Sequence, residues 1–136
     1  IMEKIRIARN VKRIEVNDEG EFIELDFDDQ SLPYRFMETM KDIYAKKQEF
    51  DRKIAADDGK NINSIIELEY EVNLYFKARI DILFGEGTCR KVYGDILPSV
   101  DMHIELLNQL LPYFEEYAKK RREKMSRYDA GRTGNV

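Results

Sequence analysis

Three long runs of this chain carry apolar residues at alternating steps of four and three, which commits most of it to amphipathic helices. In the first, Phe36, Met40, Ile43, Lys47, Phe50 and Ile54 fall on one helical face. Lys47 interrupts the stripe, but its methylene stem can lie along it. Asp28 to Ser31 offer an N-cap, Pro33 is tolerated in the first turn, and Asp57, Asp58 and Gly59 end the run, so a helix is expected over about 32–56. The second run is Ile62, Ile65, Glu69, Val72, Phe76, Ile80 and Leu83, joined by Ile66. Asn61 or Asn63 can cap it and Gly85 stops it, giving a helix over about 62–83. A short helix, 88–93, is expected before Gly94.

The last run opens at Pro98 and Ser99 and steps through Val100, Ile104, Leu107, Leu111, Phe114 and Ala118, for a helix over about 99–126. Met102, Leu106, Leu110, Tyr113 and Tyr117 form a second stripe beside it, so the apolar face is wide. Two readings fit that width. Each stripe meets a different helix, or the part around Tyr113 and Tyr117 is left for a partner. Pro112 sits inside the run and removes a backbone donor, so a kink is expected there.

The N-terminal stretch has a different period. Ile5 and Ile7 alternate with Lys4 and Arg6, Ile14 and Val16 share a face, and Ile23, Leu25 and Phe27 alternate with Glu24 and Asp26. Asn17 to Gly20 is a turn signal between them, so a β-hairpin is expected over about 4–27. A lone hairpin is marginal in water, and its apolar face must dock on the helices. The expected fold is α+β, mainly α: a hairpin on three long helices and one short one, as a single domain over 1–118, followed by a basic helix end and a disordered tail over 119–136. The 136 residues suit one domain. The start has no apolar run resembling a signal peptide, and no run approaches the ~20 apolar residues of a membrane span. With a single cysteine, Cys89, no intrachain disulfide is available, which fits a reducing cytoplasm.

Charge is unevenly distributed. At 37% charged residues the chain is well above the ordinary domain, yet its net charge is only −4. Residues 119–136 hold seven basic and two acidic side chains (+5), and the other 118 residues hold sixteen and twenty-five (−9). Lys119, Lys120, Arg121, Arg122, Lys124 and Arg127 form the basic run. It reads as a solvated helix end favoured by the helix dipole, as a site for an acidic protein surface, or as a contact to nucleic acid. The acidic remainder and the lack of interleaved aromatics disfavour nucleic acid.

No catalytic constellation stands out. His103 is the one histidine, expected at the surface or half-buried, without a ligand partner at metal-binding spacing. Cys89 is expected as a buried or half-buried filler. Gly85 and Gly87 make half of a phosphate-binding glycine pattern, but a helix precedes them and Arg90 occupies the third glycine's place. Paired acids at Asp28/Asp29 and Asp57/Asp58 fall in turns. A non-enzymatic protein with no cofactor and no metal is the expectation.

The order of these features resembles the tail assembly chaperones of long-tailed, siphovirus-type bacteriophages and prophages of Gram-positive bacteria. The hairpin ends Phe22–Phe27 (FIELDF) and leads into a helix. A helix then ends in IDILFGEGTCRKVYGD, Ile80 to Asp95, similar to the pattern Asp–x–x–Phe–Gly–Glu–Gly–Thr…Phe/Tyr–Gly–Asp of that group. The matching positions are Asp81, Phe84, Gly85, Glu86, Gly87, Tyr93, Gly94 and Asp95. A Leu-rich terminal helix follows, and the likeness covers most of 12–118. It implies a non-catalytic cytoplasmic protein of the bacterial host cell, binding the phage tape measure protein and assisting assembly of the tail tube protein, with self-association possible. Tyr113, Tyr117, Lys119, Lys120, Arg121 and Arg122 are the candidate partner contacts. A head–tail connector type of structural adaptor and a nucleic-acid-associated phage protein are the rival readings.

Overall fold

The hairpin is built around one asparagine. The Asn17 side-chain oxygen accepts the N–H groups of Glu19 at 2.9 Å and Glu21 at 3.2 Å, and Gly20 takes a positive φ of 80°. That turn joins β1 (Val11–Glu15) to β2 (Phe22–Asp26), antiparallel with Ile14 opposite Ile23 and Lys12 opposite Leu25. α1 (Ser31–Ala56), α2 (Ile62–Phe84), α3 (Thr88–Tyr93) and α4 (Val100–Gly134) follow. The architecture is the expected α+β, mainly α. It comes from a computed structural model, which describes residues 1–134. Residues 1–103 form one compact unit, and the chain from Ile104 onward forms a second.

In the first unit β2 supplies the sheet's buried face. Ile23, Leu25 and Phe27 are buried, with Glu24 between them exposed, as period-2 alternation requires. The helices contribute Leu32, Phe36 and Ile43 from α1 and Val72, Phe76, Ile80 and Leu83 from α2. The Asn17 side-chain nitrogen also donates to the Lys91 carbonyl at 3.0 Å, and Arg90 pairs with Glu21 at 3.4 Å. These bonds tie the hairpin turn to α3.

Two expectations need correction. Residues 4–10 are not a strand, and Ile5 and Ile7 are 91% and 77% exposed. β2 gives way to a turn, with the Asp29 N–H bonded to the Asp26 carbonyl, so ladder pairing ends where Phe27 N–H meets the Asn10 carbonyl. What holds the segment there is charge. Arg9 pairs with Asp26 and Asp28, and the Asn10 N–H donates to the Asp28 carboxylate. That backbone bond, then Arg9, lowers the Asp28 pKa. The α1 start is capped from within the expected Asp28–Ser31 stretch. Gln30 makes no side-chain cap bond, and Asp29 accepts the Ser31 N–H at 2.9 Å and hydroxyl at 2.6 Å. Finally, Ile62 and Ile66 leave the core, 69% and 54% exposed. The side of α2 that lies along α1 carries Leu68, Val72 and Tyr75, and Ile66 is rotated well away from it.

In the second unit Leu107, Leu110 and Phe114 are buried, and Pro112 stands inside the helix as expected. α4 runs beyond the expected end at 126. The tail expected to be disordered at the end of 119–136 is instead helical through Gly134, and residues 135–136 lie outside the described residues.

Leu25 is fully buried while Val11, on the partner strand, is 38% exposed. Leu25→Ala should therefore lower unfolding free energy by about 2–5 kcal/mol in urea titration, and Val11→Ala by about 0.5 kcal/mol or less. Equal costs would mean that the hairpin does not dock through β2.

Candidate interaction site

α1 and α2 are joined by a ladder of polar contacts at constant register. Arg35 donates to the Leu83 carbonyl at 3.3 Å, capping the end of α2. The Thr39 hydroxyl donates to the Arg35 carbonyl at 2.7 Å, and Arg79 reaches its oxygen at 3.4 Å. Asp42 accepts the Tyr75 hydroxyl at 2.5 Å and pairs with Arg79 Nε at 3.0 Å. The Lys46 ammonium stands 5.1 Å from the Tyr75 ring centre. The hydrogen bond to Asp42 is the main reason the Tyr75 pKa is raised, with burial second. This ladder was not anticipated from sequence. Its signal was there: Arg35, Thr39, Asp42 and Lys46 step by 4, 3 and 4 while Tyr75, Arg79 and Leu83 step by 4.

The Asp81–Asp95 segment is a stitch between helices. The Asp81 carboxylate accepts the Cys89 N–H at 2.9 Å, serving a free donor at the start of α3. The Thr88 hydroxyl donates to the Gly85 carbonyl at 2.7 Å. Gly87, the residue that opens α3, is left-handed at φ 85°, ψ 0°, a conformation that costs other residues about 1–2 kcal/mol. Tyr93 and Phe84 are half-buried, while Glu86 and Asp95 are exposed. The eight positions singled out by resemblance thus run from the last turn of α2 through the Gly85–Gly87 connection to the residues that close α3, with the Asp81 carboxylate and the positive φ of Gly85, Gly87 and Gly94 shaping the path.

Two reactive side chains lie beside this stitch. Cys89 is 1% exposed, and burial followed by Asp81 pushes its thiol up to about 12. Its sulfur faces the Lys77 carbonyl at 3.6 Å. His103 is fully buried, which corrects the surface or half-buried expectation. Its Nδ1 is 2.9 Å from the Tyr93 hydroxyl, which also lies 3.3 Å from the Met102 carbonyl. The arrangement that satisfies most groups has Nδ1–H donating to Tyr93 and the Tyr93 O–H donating to Met102. The imidazole also packs edge-on to Phe76 and Tyr93. Nε2 is left buried without a partner. Burial lowers the pKa to about 4, and Asp81 opposes that shift. Both groups are therefore uncharged at neutral pH. Among the described residues no group of three or more histidine, cysteine, aspartate or glutamate side chains could hold a metal ion.

The remaining candidates are surface features. Tyr113 and Tyr117 are half-buried. Lys119, Lys120, Arg121 and Arg122 are exposed, and at 100° per residue they point around the whole helix rather than to one side. Exposed apolar groups occur elsewhere: Met37 and Tyr44 border an open depression on α1 with Met40, and Ile62, Ile66, Tyr70 and Leu74 stand on α2. No helix of the described residues is long and apolar enough to cross a membrane.

A family profile described as a family of unknown function (DUF6673) matches residues 19–135. The chain belongs to this family. Its matched span starts in the hairpin turn and takes in the stitch, the ladder and the basic end of α4. No curated protein and no solved structure matches the chain significantly.

The stitch and the histidine give separate predictions. Asp81→Ala removes the bond at the start of α3 and should cost about 1–2 kcal/mol of stability. The folded-state pKa of His103 lies below its unfolded value near 6.5, so the unfolded chain binds the proton first. The contribution is full above about pH 6.5 and is lost as pH falls toward 4, on the order of 3 kcal/mol. Urea unfolding across that window should show a shallower pH slope for His103→Gln than for the parent chain. Parallel slopes would mean that His103 does not titrate this way.

Proposed function

We propose that this chain is a tail assembly chaperone of a siphovirus-type phage or prophage. It acts without catalysis in the cytoplasm of the bacterial host, binding the tape measure protein and assisting assembly of the tail tube. The observation that carries the reading is the Asp81–Asp95 segment. Its likeness to the pattern of that group includes the residues that hold the turn, Asp81, Gly85, Gly87 and Gly94, each with a defined local role.

The chemistry of the surface supports a client of this kind. A tape measure protein is long, helical and amphipathic, and without its tube its apolar faces need cover. Met37 and Tyr44 beside Met40, and Ile66 and Tyr70 on α2, offer adaptable apolar contact area for helix faces. Many copies, each binding weakly along one long chain, would hold it by avidity. The uncharged, buried state of Cys89 and His103 favours binding over nucleophilic chemistry.

Affinity capture of the tagged full chain after induction of the parent prophage tests this directly, with mass spectrometry of the bound proteins and of purified virions. The expected result is one very long helical phage protein in the eluate and none of this chain in virions. Portal or capsid proteins in the eluate, or the chain in virions, would establish the structural adaptor instead. Nucleic acid alone, released by salt and lost on deleting 119–136, would assign the basic run to a phosphate backbone.

A further inference from the structure

The exposed part of α4 continues the apolar seam of its buried part. Leu107, Leu111, Phe114, Ala118, Arg121, Met125 and Tyr128 step by 4, 3, 4, 3, 4 and 3, so all share one face. Met125 and Tyr128 are 48% and 61% exposed. Arg121 stands on that face between Ala118 and Met125, and Arg122 and Lys124 flank Met125 on either side. The end of α4 therefore presents a short apolar stripe edged by cations.

A matching surface of opposite charge stands on α2. Ile62, Ile66, Tyr70 and Leu74 step by four and are all at least 44% exposed. Glu67, Glu69 and Glu71 are exposed beside them, and residues 61–76 contain no lysine or arginine. At 1.5 Å per residue the α4 stripe from Ala118 to Tyr128 is about 15 Å long and the α2 stripe about 18 Å. Both are exposed in the single chain.

We infer that the basic end of α4 in one copy docks on the acidic, apolar face of α2 in a second copy. Like pairing of either surface is disfavoured. Two α4 ends would set Arg121, Arg122 and Lys124 against the same residues, and two α2 faces would set glutamates against glutamates. Only the unlike pair buries both stripes while bringing opposite charges together. Such a contact is heterologous: each copy keeps one free α2 face and one free α4 end, so assembly runs on to a ring or an open filament. The stripes are short, which puts each contact below the ~1,200 Å² of a stable pairwise interface and makes assembly dependent on concentration and salt. The inference stands independently of which client the chain binds.

Sedimentation of the full chain tests it, with variants designed to exchange the charges. Above the 16.2 kDa of one chain, the average mass should rise with concentration and fall as salt is raised. The triple variant Arg121→Glu, Arg122→Glu, Lys124→Glu should be monomeric. So should the triple variant Glu67→Lys, Glu69→Lys, Glu71→Lys. All six positions are exposed, and unchanged circular dichroism would show that both variants fold. Mixing them should restore association, because each acidic surface then meets a basic one. A parent chain that stays at monomer mass, association unaffected by either triple, or a mixture that remains monomeric would each overturn the inference. None of these results bears on capture of the tape measure protein, so the two readings fail separately.

Discussion

Asp42 sits where the relative position of the two central helices is decided. Its carboxylate takes a hydroxyl and lies against a guanidinium from successive turns of α2, which Tyr75 and Arg79 supply. A slide by one turn would break both, together with the Thr39 and Arg35 bonds on the same edge. The Tyr75 bond to the ionised Asp42 contributes about 1.5–3 kcal/mol, while Arg79 Nε, 3.0 Å from the carboxylate, is an ion-pair contact without hydrogen-bond geometry and contributes less. Apolar stripes alone tolerate slippage, since one leucine-sized residue replaces another. The polar edge does not, and it specifies one register. That register delivers Leu83 to the core and Gly85 to the turn, and so sets where Asp81 can hold α3. α3 in turn anchors the hairpin through Lys91 and Arg90.

What was legible in the sequence follows from period and punctuation. The long helices announce themselves by steps of three and four, and Asn61 caps α2 as its side chain suggests, accepting the Asn63 N–H at 3.1 Å. α3 falls on 88–93 as expected because Gly87 and Gly94 bound it with positive φ. Less legible was anything depending on which side of an element found cover. Ile5 and Ile7 alternate as a strand would, but alternation records only a capacity for pairing, and β2 is too short to pair with them. Ile62 belongs to the same periodic series as Val72 and Phe76. It points the same way as the fully buried Ile80, eighteen residues and five whole turns later, so its exposure comes from its place as the first residue of α2 and not from its face. The burial of His103 could not be read either, because it depends on Tyr93 and Phe76, ten and twenty-seven residues away.

The candidate site divides in the same way. The residues of the Asp81–Asp95 turn were identifiable because a tight turn needs particular residue types, and the structure assigns them local roles. The surface residues were harder to place. Nothing in the pattern distinguishes Tyr113 and Tyr117, half-buried, from Tyr70, which is 58% exposed. An aromatic residue on a helix is equally suited to a core or a partner, and only the packing decides.

The helical state of the α4 end has its own physical requirement. Residues 119–131 are exposed throughout, so packing contributes little to holding them. Helices as short as this are marginal in water on propensity alone. Lysine, arginine, glutamate and methionine favour the helical state, and Lys120 pairs with Glu116 one turn back at 3.6 Å. Cations near a C-terminus also interact favourably with the helix dipole, though those at 119–124 lie more than a turn from its end. The greater help comes from continuity: the turns around Leu107, Leu110 and Phe114 are already ordered, so extension needs propagation and not a new nucleus. A segment held this way opens at low cost and closes again quickly. Covering Met125 and Tyr128 would add the burial it lacks, so its helical order and its docking should strengthen together.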